Sequence, residues 1–471
     1  MNHTKRQALP TGRIAALVKD ASVAVLGFGI SNRPLVSILL RLGAHVHIYD
    51  QKSPDELGSE AKDAIRSGAH FYSDMDEMPL CDMRIIFRSP GIHPDTPALR
   101  RAREGGVEIS SEMAWFLEIT PATIIAVTGS DGKTTTTTLT AEMLWAEGKR
   151  VFLGGNIGTP LLDRATEMTA DDFTVVELSS FQLYDLPPSV VPHRAAITNL
   201  SPNHLNWHVD MDDYVTAKTH IFDGERCELL VTNAKNGLTA AIAAEQKGKR
   251  EVTLFSSDPK TVSDVRLADG VLTLGDTPIV RADEIRLPGV HNLENMMTAV
   301  ALCAGLVSPE AMRRVAVEFG GVEHRLEHVR TLHGVDFYNS SIDSSPTRTA
   351  AALSALSQPI VVICGGSDKH ISFAPLAKSL CERVRAVVLT GETAEKIHEA
   401  LLVCPDYTPD RLTVLHEPRF EDAVYAAAAV AREGDAVLLS PACASFDAFP
   451  NFMVRGETFR RLVLSLTDIN T

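Results

Sequence analysis

Cysteine is sparse and unpatterned. Seven residues are scattered over 471 positions with no Cys-x-x-Cys pair, which excludes a disulfide framework and a cysteine-rich zinc site and fits a reducing cytoplasm. No run reaches the roughly 20 apolar residues needed to cross a bilayer, so membrane insertion is not expected. The opening MNHTKRQALPTGRIAALVKD lacks the apolar centre of a secretory signal. Basic residues are also in deficit. Lys and Arg number 45 against 60 Asp and Glu, a formal net charge of −15, whereas a polyanion is bound by clustered cations. Nucleic acid is therefore not an expected partner. Any phosphate ligand must be held locally, by backbone N–H groups at helix starts and by single lysines.

What is present is α/β construction. Short β-branched runs end in glycine-rich or polar turns and lead into helical stretches, at 22–26, 46–50, 85–88, 123–128, 174–178, 195–199, 360–364, 386–390 and 436–440. A chain of 471 residues exceeds the roughly 250–300 at which single cores stop growing, so three domains are expected. The borders are placed at 118, before a fresh strand, and at 321, after Gly320-Gly321, giving 1–118, 119–321 and 322–471. One helical run is expected from 292 to 319, and the stretch from about 225 to 285 reads as β-rich. Ligands of open α/β sheets sit outside the carboxyl ends of the strands, so the residues following each strand carry the functional reading.

The strongest local signal is Ala-Val-Thr-Gly-Ser-Asp-Gly-Lys-Thr-Thr at 126–135, a strand, a glycine turn and a helix start. Glycines 129 and 132 let backbone N–H groups approach phosphate, Lys133 can reach the terminal phosphate, and Thr134 can offer a hydroxyl to Mg²⁺. Val127 stands where the usual pattern has its first glycine, and an ordinary turn with an exposed lysine is the competing reading. Glu177 ends a neighbouring apolar strand, where a phosphate-loop enzyme places a Mg²⁺ carboxylate. His204 follows a third strand, and imidazole suits a second metal. Lys218 falls on an apolar helical stripe formed by positions 211, 214, 215, 221 and 222; snorkelling along that surface is its bland explanation. Near the N-terminus, Gly27-Phe-Gly29 follows a strand and Asp50 ends the next, a weak nucleotide-binding signal because Asn32 replaces the third glycine.

Together these segments resemble the Mur ligase family. The likeness runs in order through 27–32, 89–91, 128–135, 155–158, 177–183, 199–204, Lys218, His291-Asn292 with Asn295, His324-Arg325, 365–369 and 440–456, and the last segment marks the branch that adds D-glutamate. The resemblance implies a Rossmann-like domain holding a UDP-linked substrate, a central P-loop-type ATPase domain, and a C-terminal Rossmann-like domain holding the amino acid. It implies a cytoplasmic, monomeric ligase that consumes ATP to join D-glutamate to UDP-N-acetylmuramoyl-L-alanine, through an acyl phosphate and a tetrahedral intermediate.

Residue by residue, the resemblance places Gly129, Ser130, Asp131, Gly132, Lys133, Thr134, Thr135, Asn292, Asn295 and Arg325 at ATP. It gives Thr134 and Glu177 to one Mg²⁺, and His204 with a carbamylated Lys218 to a second. Gly29, Ile30, Ser31, Asp50, Gln51, Ser89, Gly91, Asn156 and Ser179 would contact the UDP substrate, and Ser344, Lys369, Ser445 and Phe452 would surround D-glutamate. Asn203 and Asn206 stand where members commonly carry acidic residues, Ser340 replaces a common aspartate, and Ile342 a common lysine. Alternatives are another amide ligase of the family, including a folylpolyglutamate synthetase, a nucleotide-sensing protein without chemistry, and an NAD-dependent dehydrogenase suggested only by Gly27, Gly29 and Asp50.

Overall fold

The computed structural model describes residues 10–158, 160–205, 207–368 and 372–467. Three sheets are present among them. In the first, five parallel strands lie in the order His70–Tyr72, His45–Tyr49, Ser22–Leu26, Ile85–Arg88 and Glu108–Ser110. That is the 3-2-1-4-5 arrangement of a Rossmann-like half, whose chain reverses direction beside the central strand.

The second sheet has nine strands. Val151–Gly155, Phe173–Glu177, Thr123–Thr128, Arg194–Ile197, Leu229–Asn233, Glu251–Ser256 and Val265–Ala268 run parallel in that order. Val271–Leu274 and Thr277–Arg281 then extend it as antiparallel ribbons, matching the β-rich reading of 225–285. The third sheet runs Glu327–Leu332, Val335–Asn339, Ala436–Leu439, Ile360–Gly365, Val384–Thr390 and Thr413–His416, parallel except for its first pair. The three-domain α/β expectation holds, and each predicted strand lies within two residues of an observed one.

Two expectations need correction. The helical run at 292–319 is two helices, Val290–Leu302 and Pro309–Glu318. Between them Gly305 takes φ +71°, and Pro309, which has no N–H to give, fits a first helical turn better than an interior. The helix carrying Lys218 is only Met211–Thr219, so Ile221 and Phe222 of the expected stripe are buried beyond its end.

By chain contacts the molecule forms two compact units, Met1–Ile285 with His291–Val317, and Arg286–Val290 with Glu318–Thr471. The first two sheets share a unit because their core is continuous. The helix Glu112–Ile119 crosses the expected border at 118 and is apolar nearly all round, with Met113 through Leu117 buried. Trp115 packs on Phe87 of the first sheet with ring centroids 5.7 Å apart. Arg88, 3% exposed, is held by Asp185 at 2.8 Å and donates to the Phe181 carbonyl at 3.2 Å. A buried guanidinium without such partners would be strongly destabilising.

Candidate active site

The strand Thr123–Thr128 delivers the chain into the turn 129–132, and the helix Lys133–Ala146 follows. Five consecutive threonines are poor helix formers, each about half a kcal/mol worse than alanine. Four of them are buried, and Thr137, Thr138 and Thr140 turn their hydroxyls back to the carbonyls of Lys133, Thr134 and Thr136 at 2.8–2.9 Å. Tertiary packing thus overrides propensity. The helix N-cap is Gly132 at φ +78°, with no side-chain cap, so its first N–H groups point outward uncovered by a cap, the arrangement that receives anions.

Glycine is required at both turn positions. A Cβ on Gly129 would lie 1.9 Å from Thr198 Oγ1, and one on Gly132 would lie 2.1 Å from Asn295 Oδ1. The loop is braced from the next strand: the Asp131 N–H donates to Asn199 Oδ1 at 2.9 Å, Thr198 Oγ1 donates to the Asp131 carbonyl at 2.6 Å, and Ser130 Oγ pairs with the Tyr214 hydroxyl at 2.9 Å. Lys133 Nζ folds over the turn and donates to the carbonyls of Gly129 and Ser130 at 3.0 and 2.9 Å. Thr136 donates to Asn295, which donates to Asn292 at 3.3 Å, so the two asparagines lie against this helix start.

Glu177 is 2% exposed, and both carboxylate oxygens are engaged, Oε2 by Thr134 Oγ1 at 2.7 Å and Oε1 by Asn156 Nδ2 at 2.9 Å. The backbone enforces the meeting, since the Asn156 N–H donates to the Glu177 carbonyl at 2.8 Å and a Cβ on Gly155 would lie 2.2 Å from that oxygen. A hydroxyl and a carboxylate side by side form the hard oxygen pair that Mg²⁺ prefers.

Lys218 is 1% exposed, which removes the snorkelling explanation. Its Nζ donates to Thr128 Oγ1 at 3.1 Å and to the Gly129 carbonyl at 2.8 Å, and lies 4.8 Å from the centre of the Tyr214 ring. Burial, reinforced by the like charge of Lys133 and opposed by Glu177 and Asp131, holds this amine well below the ordinary lysine range. His204 sits exposed on the following loop at φ +56°, its ring against Phe181 at 4.9 Å. His208 is structural, buried between Ser180 Oγ at 2.9 Å and Asp213 at 2.8 Å, with burial lowering its pKa.

Thus the structure gathers Gly129, Ser130, Asp131, Gly132, Lys133, Thr134, Glu177, Lys218, Asn156, Asn292 and Asn295 around one turn. Thr135 is buried in the first helical turn. Ser179 is drawn into a capping box with Gln182. Thr128, Asn199 and Tyr214 were not singled out from sequence, although Tyr214 precedes Lys218 by one helical turn and Asn199 follows the third strand.

In the first sheet, Gly29 and Ile30 are exposed beyond the central strand, and Ser31 is the N-cap of the helix Asn32–Arg41. Ser89 packs where a Cβ on Gly27 would fall, at 2.8 Å, whereas Gly91 faces open space. Asp50 accepts the N–H groups of Phe28 at 2.7 Å and Lys52 at 2.9 Å, and Gln51 is exposed. Asn32 fills the third-glycine position by donating to the Gly27 carbonyl at 2.8 Å.

In the second unit, Ser445 is buried, its carbonyl taking the N–H of Phe449 at 2.8 Å. Ser344 donates its N–H to the Ile342 carbonyl at 2.8 Å, and Phe452 begins the helix Phe452–Ser465 and accepts from Ser341 Oγ at 2.8 Å. Arg455, buried and unsuspected as an organiser, ties this end together through Ser341, Cys443 and Ala444, and burial lowers its pKa to about 10. Ser340, in place of the common aspartate, accepts the Leu326 N–H at 3.1 Å beside half-buried Arg325. Lys369 and Asn206 lie outside the described residues. No helix among the described residues is long and apolar enough to cross a membrane.

Known families match the chain in three successive segments: a Mur ligase MurD-like N-terminal domain over 21–111, a Mur ligase middle domain over 127–303, and a Mur ligase glutamate ligase domain over 324–443. Among curated proteins, the UDP-N-acetylmuramoylalanine--D-glutamate ligase of Clostridium novyi is 43% identical over 453 residues, covering 95% of this chain and 98% of its own. That of Clostridium acetobutylicum is 42% identical over 457 residues, covering 95% and 97%. The same fold is seen in crystal structures of the UDP-N-acetylmuramate-alanine ligase MurC of Thermotoga maritima, with TM-score 0.56 at 17% identity over 94% of this chain and 99% of that one. MurF of Acinetobacter baumannii shares it with TM-score 0.58 at 16% identity over 96% and 92%. Order of domains, near full-length identity above 40% and a shared fold lead to one conclusion: this chain belongs to the Mur ligase family.

Proposed function

We propose that this protein joins D-glutamate to UDP-N-acetylmuramoyl-L-alanine at the expense of ATP, releasing ADP and phosphate, in peptidoglycan precursor synthesis in the cytoplasm. The observation that carries the reading is the convergence of Lys133, Thr134, Glu177 and Lys218 on the turn 128–134. Full-length relatives bearing the name of that ligase support the choice of amino acid.

A carboxylate resists nucleophiles because its charge repels them, and phosphorylation turns one oxygen into a leaving group. The substrate's alanyl carboxylate attacks the γ-phosphorus of ATP, giving an acyl phosphate and ADP. The amine of D-glutamate then adds to the acyl carbon, and the tetrahedral adduct collapses by expelling phosphate and a proton. In this arrangement the uncapped N–H groups of the helix Lys133–Ala146 and the Lys133 ammonium hold the phosphates. Thr134 and Glu177 would give oxygen donors to one Mg²⁺ and His204 with Lys218 would hold a second; bound there, the ions would supply charge neutralisation for phosphoryl transfer. Asn292, Asn295 and Arg325 serve the nucleotide, and Asn156 and Ser179 the muramoyl substrate. Residues 29–31, 50–51, 89 and 91 hold the UDP part, while Ser344, Lys369, Ser445 and Phe452 receive D-glutamate. The working division is 1–118, 119–321 and 322–471.

A bare ammonium at Lys218 would repel a cation. The neutral amine is the form that adds to CO₂, yielding a carbamate and one proton; burial at Lys218 favours that form, and the carbamate offers the oxygens a hard cation takes. Phosphate release with ATP, Mg²⁺ and UDP-N-acetylmuramoyl-L-alanine, run with D-glutamate, L-alanine or meso-diaminopimelate in turn, tests the reading. Turnover with D-glutamate alone is expected; turnover with another amino acid alone, or none, refutes it.

A further inference from the structure

In the second unit, Glu395 and His398 lie one turn apart on the helix Ala394–Leu402, and His416 is the last residue of the edge strand Thr413–His416. His416 Nε2 stands 3.0 Å from His398 Nδ1, and its Nδ1 stands 3.5 Å from a Glu395 carboxylate oxygen. One ligand atom from each of the three residues lies within 4.8 Å of the others. Two imidazole nitrogens at 3.0 Å share a single proton when they form a hydrogen bond. Around a tetrahedral zinc, with bonds near 2.0–2.1 Å, donor atoms sit about 3.3 Å apart, close to the spacing of the two imidazole nitrogens; because Glu395 faces the other nitrogen of His416, its carboxylate must swing to join a shared ion. Lys396, the nearest cation in sequence, is engaged by Asp368 and not by Glu395. None of the three residues belongs to the machinery assigned above.

We propose that Glu395, His398 and His416 form a surface site for a divalent late first-row cation, Zn²⁺ or Ni²⁺ in preference to Mg²⁺. Two imidazoles and one carboxylate are the donor set for such ions, with water completing the shell. The bound ion adds a cross-link between the edge strand and the helix across an 18-residue separation, beside the ladder that already pairs this strand with Val384–Thr390.

Equilibrium dialysis of the full chain against micromolar Zn²⁺ or Ni²⁺, without nucleotide or Mg²⁺, tests this on wild type, His398→Gln, His416→Gln and Glu395→Gln. Wild type should retain one more equivalent than either histidine variant, with Glu395→Gln binding at least several-fold more weakly. The variants should keep the metal-free melting temperature and the ligase turnover of wild type. Should a histidine variant melt early, Cu²⁺ electron paramagnetic resonance on wild type decides instead: coupling to two imidazole nitrogens that Glu395→Gln perturbs supports the site, and its absence overturns it. Equal metal stoichiometry in wild type and well-folded variants also overturns the proposal, leaving the histidine pair as a hydrogen bond.

Discussion

Glu112 is buried at the start of the helix Glu112–Ile119, and its Oε1 has no hydrogen-bond partner. Burial pushes its pKa up to about 8, aided by Asp163 and opposed by the Leu162 backbone. The folded protein therefore keeps a proton that the unfolded chain releases above about 4.5. A raised folded-state pKa means that stability falls as pH rises from about 4.5 to about 8, then levels. Glu112→Gln should abolish that decline: urea melts of variant and wild type coincide near pH 4.5, and at pH 8 the variant is more stable by on the order of 3–5 kcal/mol. Parallel pH profiles would refute the assignment. At Lys218, both Lys218→Ala and Lys218→Arg should lose turnover, and acetate or formate at high concentration should partly rescue only the alanine variant, whose cavity admits a carboxylate. An active Lys218→Arg would end the carbamate account. The sequence announced Lys133, Thr134 and Glu177 because their chemistry sits in a spaced motif beside strand ends. Thr128 and Asn199 fall inside segments that carry the resemblance but received no role of their own, since a hydroxyl or amide that braces a neighbour 68 or 90 residues away leaves no local pattern.

Elements show where glycine is structural and where it is incidental. Gly132→Ala must force a Cβ into Asn295 and hold a left-handed backbone, so it should cost about 1–2 kcal/mol of stability from the backbone alone and weaken ATP binding measured by calorimetry. Gly237, at the first position of the helix Gly237–Gln246, has open space around its Cβ. Gly237→Ala should raise stability by about 0.4–1 kcal/mol in the same denaturation assay, with turnover unchanged. Strands were easy to read because buried parallel strands are continuous β-branched runs. The break at Gly305 was missed because the apolar residues around it keep helical spacing on both sides. The short helix around Lys218 was overextended for the same reason, as Ile221 and Phe222 stay buried after the helix has ended.

At the scale of the molecule, three sheets fall into two compact units. Arg88→Ala removes the buried guanidinium that holds Asp185 inside the first unit, leaving that carboxylate with Arg103 at 3.7 Å. The lost packing and hydrogen bonds destabilise the first unit, so scanning calorimetry should show its transition moving down while that of the second stays in place; a common shift of all heat absorption would contradict separate units. The border expected at 118 came from a new strand following Glu118, a signal that marks a new sheet without reporting whether its core is shared. That shared core also constrains inheritance. A crossover between related genes near residue 118 would part Arg88 from the Asp185 that holds it, whereas one near 318 would exchange a unit with its own interior. Hybrids assembled at the later point should fold far more often than hybrids assembled at the earlier one, because only the earlier one cuts through the core that the first two sheets share.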